Sequence, residues 1–172
     1  MNLRSLIAHA AALTLALSAG IATAGGNHAG GHHDSDSIGE PGKAADVKRT
    51  VNVDMTDAMR FTPNAISVKQ GETIKFVVKN SGKVKHEMVL GTEGELKEHY
   101  EAMKKFPEME HADPNMVTVQ PGQTGEIVWK FSKSGTVNFA CLQPGHYDAG
   151  MKGAVKVAGT GGMSDGHGAH KH

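Results

Sequence analysis

Apolar and polar residues alternate along the middle of this chain with a period of two, which predicts strands rather than helices. Residues 48–55 set Val51 and Val53 against Thr50, Asn52 and Asp54. Residues 72–80 place Ile74, Phe76 and Val78 on one face, and Lys75, Val77 and Lys79 on the other. Further strands are predicted over 65–68, 84–90, 116–120, 124–131, 136–141 and 152–158. Turn residues separate them: Gln70 and Gly71, Ser81 and Gly82, then Pro121 and Gly122, whose order suits a type II turn. Short strands with one face in and one face out predict an all-β fold, a Greek-key antiparallel β-sandwich. The period changes once. Leu96, Tyr100 and Met103 recur at i, i+4 and i+7, behind a capping box of Thr92 and Glu95, so one inserted helix is predicted over 93–105, stopped by Pro107.

The two ends of the chain read differently. Residues 1–24 carry Arg4, a mostly apolar run over 6–21 and a closing Ala22, Thr23, Ala24, the pattern of a secretory signal peptide with its cleavage site. The apolar run is shorter than the roughly 20 residues a membrane span needs. Residues 25–47 and 159–172 are rich in Gly and His and too poor in apolar residues to offset the entropy of ordering, so both are predicted to be disordered. One domain, 48–158, lies between them. No later segment is apolar enough to span a bilayer, so the processed chain is expected to be soluble, periplasmic and monomeric. Lys and Arg balance Asp and Glu, 18 against 18, and losing Arg4 with the signal leaves one acid in excess. Dispersed cations and few aromatics exclude a nucleic-acid partner. There is no phosphate loop, no second cysteine for a redox pair and no Ser-His-Asp arrangement, so no enzyme is expected.

Chemistry concentrates in residues 141–151, which hold the single cysteine, Cys141, together with His146 and Met151. A lone cysteine in an apolar strand is ordinarily a small buried hydrophobe. The three together at this spacing are something else. Zinc prefers a closed shell of Cys, His or carboxylate, and a thioether suits it poorly. Copper cycling between Cu(I) and Cu(II) takes two imidazoles and a thiolate in a plane, with a long axial Met. The second imidazole must come from elsewhere, and His86, in an alternating strand, is the candidate. Export supports the assignment, because a free thiol is a liability in an oxidising compartment and a metal-bound thiolate is not free.

Asn80, His86, Cys141, His146 and Met151 occur in an order and spacing that resembles the cupredoxins, the family of type 1 (blue or green) copper proteins, over about residues 49–158. That resemblance implies a cupredoxin-like sandwich holding one type 1 Cu(I)/Cu(II) ion. His86, Cys141 and His146 would be equatorial, Met151 axial, and Asn80 or its neighbours would stiffen the ligand loop. With His28, His32 and His33 before the domain and Met163, His167, His170 and His172 after it, the chain resembles small periplasmic copper-tolerance cupredoxins with His-rich tails. The expected role is therefore binding, buffering or redox conversion of copper, with copper ions and a periplasmic redox or copper-transport protein as partners. Two other roles stay open: a soluble one-electron carrier and a stand-alone cuprous oxidase. Met103, Met109, His111 and Met116 offer soft ligands for additional weakly bound copper, or they simply fill gaps in the core.

Overall fold

Two five-stranded sheets share one apolar core. The computed structural model describes residues 38–107 and 112–160. The first sheet runs β1 (Glu40–Pro41), β8 (Thr124–Lys130), β5 (Thr73–Asn80), β2 (Arg49–Thr56), β3 (Arg60–Thr62). The second runs β4 (Ala65–Lys69), β10 (Lys152–Ala158), β9 (Gly135–Ala140), β6 (His86–Gly91), β7 (Met116–Val119). Alternation decides which side chains enter the core. Ile74, Phe76 and Val78 of β5 are fully buried, while the residues between them are half-buried or exposed. They meet Ile66, Val68, Val155, Val157 and Phe139 from the facing sheet. Phe61 closes one flank edge-on to Phe139, with ring centroids 5.1 Å apart.

Most neighbours pair antiparallel, as predicted, but β2 pairs parallel with β5 and β4 pairs parallel with β10. The chain path explains the first. After the β2–β3 turn, β4 joins the other sheet, and β5 returns to the first running the same way as β2.

Strand β6 departs from alternation, since all six of its residues are buried. Helix α1 (Glu93–Lys105) causes this by covering the outer face of the second sheet. Met88 and Leu90 enter the main core, whereas Val89 joins a second cluster with Leu96, Tyr100, Met103, Met116, Ala140 and Leu142. The helix begins and ends where the sequence predicts, with the Thr92–Glu95 capping box formed.

The disorder expected over 25–47 fails for its described part, 38–47. Ile38 is buried, its carbonyl accepts the Trp129 indole N–H at 2.9 Å, and Glu40 and Pro41 pair with Lys130 and Trp129. A buried indole needs an acceptor, and this segment supplies it. The signal peptide at 1–24, the rest of the first tail, Met109, His111 and the tail from 161 onward lie outside the described residues.

Candidate metal centre

His86 opens β6 at one end of the sandwich, and the turn before it is tied down by two side chains. Asn80 donates from Nδ2 to the carbonyls of Val84 and Val119 at 2.8 and 2.9 Å, and its Oδ1 accepts the Gly82 N–H. Asp57, from the turn after β2, accepts the Lys83 N–H at 2.8 Å and meets His86 Nε2 at 3.1 Å. The Lys83 N–H is the main reason the Asp57 carboxyl sits below the usual range; partial burial opposes it and the His86 ring adds to it. A carboxylate only accepts, so in the neutral ring Nε2 carries the hydrogen and Nδ1 is left bare. Asn80 thus stiffens the approach to His86 and not the 141–151 loop, as the resemblance had implied.

The second piece, 141–151, folds back on itself. The Cys141 N–H donates to the Met151 carbonyl at 3.1 Å, and the Met151 N–H donates to the His146 carbonyl at 3.0 Å. Bonds from His146 to Gln143 and from Ala149 to Gly145 close the turns between. Gly145 adopts φ +84°, a conformation that favours glycine. Tyr100 of α1 then fixes the turn from outside. Its hydroxyl accepts the Gly145 N–H at 3.0 Å and donates to Asp148 at 2.8 Å, while its ring stacks on Tyr147 at 5.0 Å. Glu87 holds the start of the loop, its carboxylate accepting the Leu142 N–H at 3.0 Å and Gln143 Nε2 at 2.9 Å.

These supports bring three donor atoms together. The ligand atoms of His86, Cys141 and His146 all lie within 4.8 Å of one another. Cys141 Sγ is 3.2 Å from His146 Nδ1 and 3.9 Å from His86 Nδ1, and the two Nδ1 atoms are 3.2 Å apart. Among the described residues this is the one grouping of at least three such donors that could hold a metal ion. His86 and Cys141 are fully buried and His146 is half-buried. Met151, also fully buried, packs in the same core cluster as Cys141. Met103 and Met116 belong to the cluster beneath α1, where they fill space between helix and sheet.

The arrangement fits a cation. His86 Nδ1 points an unshared pair into a space it shares with His146 Nδ1 and a sulfur, and a positive ion there would relieve their mutual crowding. Burial pushes the Cys141 thiol up to about 12, opposed by the Glu87 and Gln143 backbone N–H groups and reinforced by the Glu87 charge. Binding as thiolate therefore requires an ion strong enough to displace that proton. Burial, and after it the neighbouring His86, lowers the pKa of His146, which favours the neutral ring that can ligate. Two imidazoles with a thiolate, a buried thioether in the same core cluster as Cys141 and one part-exposed edge match copper better than zinc.

A two-sheet sandwich with a His–Cys–His cluster at one end, closed by a loop ending in Met, defines a cupredoxin. The family described as copper binding proteins of the plastocyanin/azurin family matches residues 47–158, and the chain belongs to it. It is 53% identical over 135 residues to the copper-resistant cuproprotein CopI of Rubrivivax gelatinosus, covering 77% of this chain and 82% of that protein. It is 37% identical over 150 residues to the protein of the same name from Pseudomonas aeruginosa, covering 70% and 82%. Among solved structures, auracyanin from Roseiflexus castenholzii superposes with TM-score 0.55 at 23% identity, covering 65% of this chain and 98% of that one. Auracyanin B does so with TM-score 0.56 at 24% identity, covering 65% and 90%; these two likenesses establish the fold alone.

The sequence had named His86, Cys141, His146 and Met151. It had not named Asp57, Glu87 or Tyr100 as their supports. Glu87 did leave a signal, as a lone acid inside an otherwise apolar strand. Asp57 left none, because a turn aspartate looks the same whether or not it meets a histidine.

Proposed function

We propose that this chain is an exported, periplasmic copper-handling cupredoxin that serves copper tolerance by binding, buffering or redox conversion of copper. Its type 1 centre consists of His86, Cys141 and His146 as equatorial ligands and Met151 as the axial one. The observation that carries this is the convergence of two imidazole Nδ1 atoms and one Sγ within 4.8 Å, in a family of copper binding proteins. The copper-tolerance role rests on relatives named copper-resistant cuproproteins and on the His-rich ends of the sequence.

Copper bound there supplies a one-electron Cu(I)/Cu(II) couple. The chain's part is to hold the ligands still. Asp57 fixes the tautomer and ring of His86, and Glu87 fixes the backbone beside Cys141. Tyr100 fixes the turn carrying His146, and the core around Cys141 and Met151 excludes water. The half-buried His146 edge leaves a path for electrons to a docked partner, which favours soluble electron carriage as the second reading. Binding, buffering and electron carriage require no catalytic turnover of a substrate.

Titration of the purified chain with Cu(II) tests the centre. An intense thiolate-to-copper absorption is expected in the visible, and Cys141→Ser should abolish it. A colourless protein binding copper only through histidines would sink the type 1 assignment. Copper stoichiometry separates the two roles. Copper beyond one ion that disappears on deleting 25–37 and 161–172, with colour retained, supports buffering. A single ion with or without those segments supports a carrier.

A further inference from the structure

Glu87 is an acid almost completely withdrawn from water, at 2% exposure, and it stands next to a ligand in the chain. Burying a carboxylate is costly unless hydrogen bonds replace its hydration. Its partners are all donors: the Leu142 N–H at 3.0 Å, Gln143 Nε2 at 2.9 Å and, at the limit of a bond, Thr118 Oγ1 at 3.5 Å. Its own backbone N–H points at Cys141 Sγ, 3.4 Å away. Among the described residues it forms no ion pair. One residue therefore grips three consecutive positions of the ligand loop, Cys141 through its backbone and Leu142 and Gln143 through its side chain. Dipoles, not a counter-charge, satisfy it.

We propose that Glu87 is a positioning residue of the metal centre, and that its buried carboxylate biases the centre toward cupric over cuprous copper. The inference rests on the reading that this cluster holds copper. A fixed negative charge in a region of low polarity favours the more positive of two oxidation states, and the electron added on reduction enters beside it. Donor dipoles soften the field without cancelling it. For a protein that captures copper, a centre poised toward the cupric form holds the ion oxidised.

The test is spectroelectrochemical titration of the full chain loaded with Cu(II), as wild type, Glu87→Gln, Glu87→Asp and Gln143→Leu. Glutamine keeps an acceptor for the Leu142 N–H and removes the charge. Glu87→Gln is expected to keep the thiolate-to-copper absorption and to raise the Cu(I)-to-Cu(II) affinity ratio at least tenfold, about 59 mV in midpoint potential for a one-electron couple. Glu87→Asp keeps the charge and should restore most of that shift. Should Glu87→Gln fail to fold, Gln143→Leu still decides. It retains the carboxylate, strips one donor from it, and should lower the affinity ratio about threefold. The proposal is overturned by a Glu87→Gln ratio within twofold of wild type with the absorption intact. It is equally overturned if Glu87→Asp shifts as far as Glu87→Gln, or if Gln143→Leu leaves the ratio unchanged or raises it. Absence of the absorption in the wild type would instead overturn the copper reading itself, and the two failures are told apart by the protein in which they arise.

Discussion

Asp57 acts on the centre from the side of His86 that faces away from the other ligands. Its carboxylate decides which imidazole nitrogen carries hydrogen, and so which one faces the cluster. Losing such a partner typically lowers metal affinity about 10–100-fold. Asp57→Ala should therefore weaken copper binding by about that factor, measured by competition with a chelator of known affinity, while Cys141 still gives its absorption. Cys141 makes a second prediction, for the metal-free protein. Its thiol is raised from 9.0 to about 12, mainly by burial, so the folded chain holds its proton where the unfolded chain has lost it. That contribution is fully present below pH 9 and is lost as pH rises through the window from about 9 to about 12. Urea unfolding should show on the order of 1 kcal/mol less stability at pH 10 than at pH 7 from this source. Cys141→Ala should flatten that slope. These two side chains differ in legibility. Cys141 is named by its type and spacing, whereas the role of Asp57 depends on a contact across 29 residues of chain.

Helix α1 shows how an element can be predicted without its purpose. The capping box and the i, i+4, i+7 stripe fix its ends and its buried face, and the structure agrees at both. What the stripe cannot state is that Tyr100 reaches beyond the packing face to bond Gly145 and Asp148. Tyr100→Phe keeps the ring and its stack on Tyr147 but leaves the Gly145 N–H without its acceptor. About 1–2 kcal/mol of stability should be lost on urea unfolding. Hydrogen exchange at the Gly145 amide should speed up at least tenfold, and unchanged exchange would mean the helix does not hold the loop. Strand β6 has the opposite lesson. The sequence predicts it as a strand over 84–90, but with the usual one face in and one face out. The helix on one side and the core on the other make it a strand buried on both faces.

At the scale of the molecule, the first sheet extends to a strand that the sequence alone leaves outside the domain. Within residues 38–47, Glu40 and Pro41 form the outermost strand of one sheet and Ile38 accepts the indole N–H of Trp129, the single tryptophan. A chain beginning at residue 43 should lose this cover. Its Trp emission is expected to move to longer wavelength and its Tm to fall by several degrees, since about 1 kcal/mol shifts Tm by roughly 4–8 °C in domains of 60–100 residues and less in larger ones. Unchanged emission would show that β1 contributes nothing to the sheet.

The sequence alone determined what local rules carry. The period of two fixed which residues of β2, β5 and β10 face the core, the capping box fixed the helix, and residue type with spacing selected Cys141, His146 and Met151 with His86 upstream. Apart from the choice of His86, which rests on ligand order along the chain, each of these depends on neighbours within a few positions. Only the tertiary structure decided the parallel pairings of β2 with β5 and β4 with β10, the order of residues 38–47, and the supports of the ligands. The physical reason is the same in each case. A hydrogen bond between distant segments, from the Leu142 N–H to Glu87 or from the Trp129 indole to Ile38, is set by how the sheets close, and no periodicity along the chain encodes it.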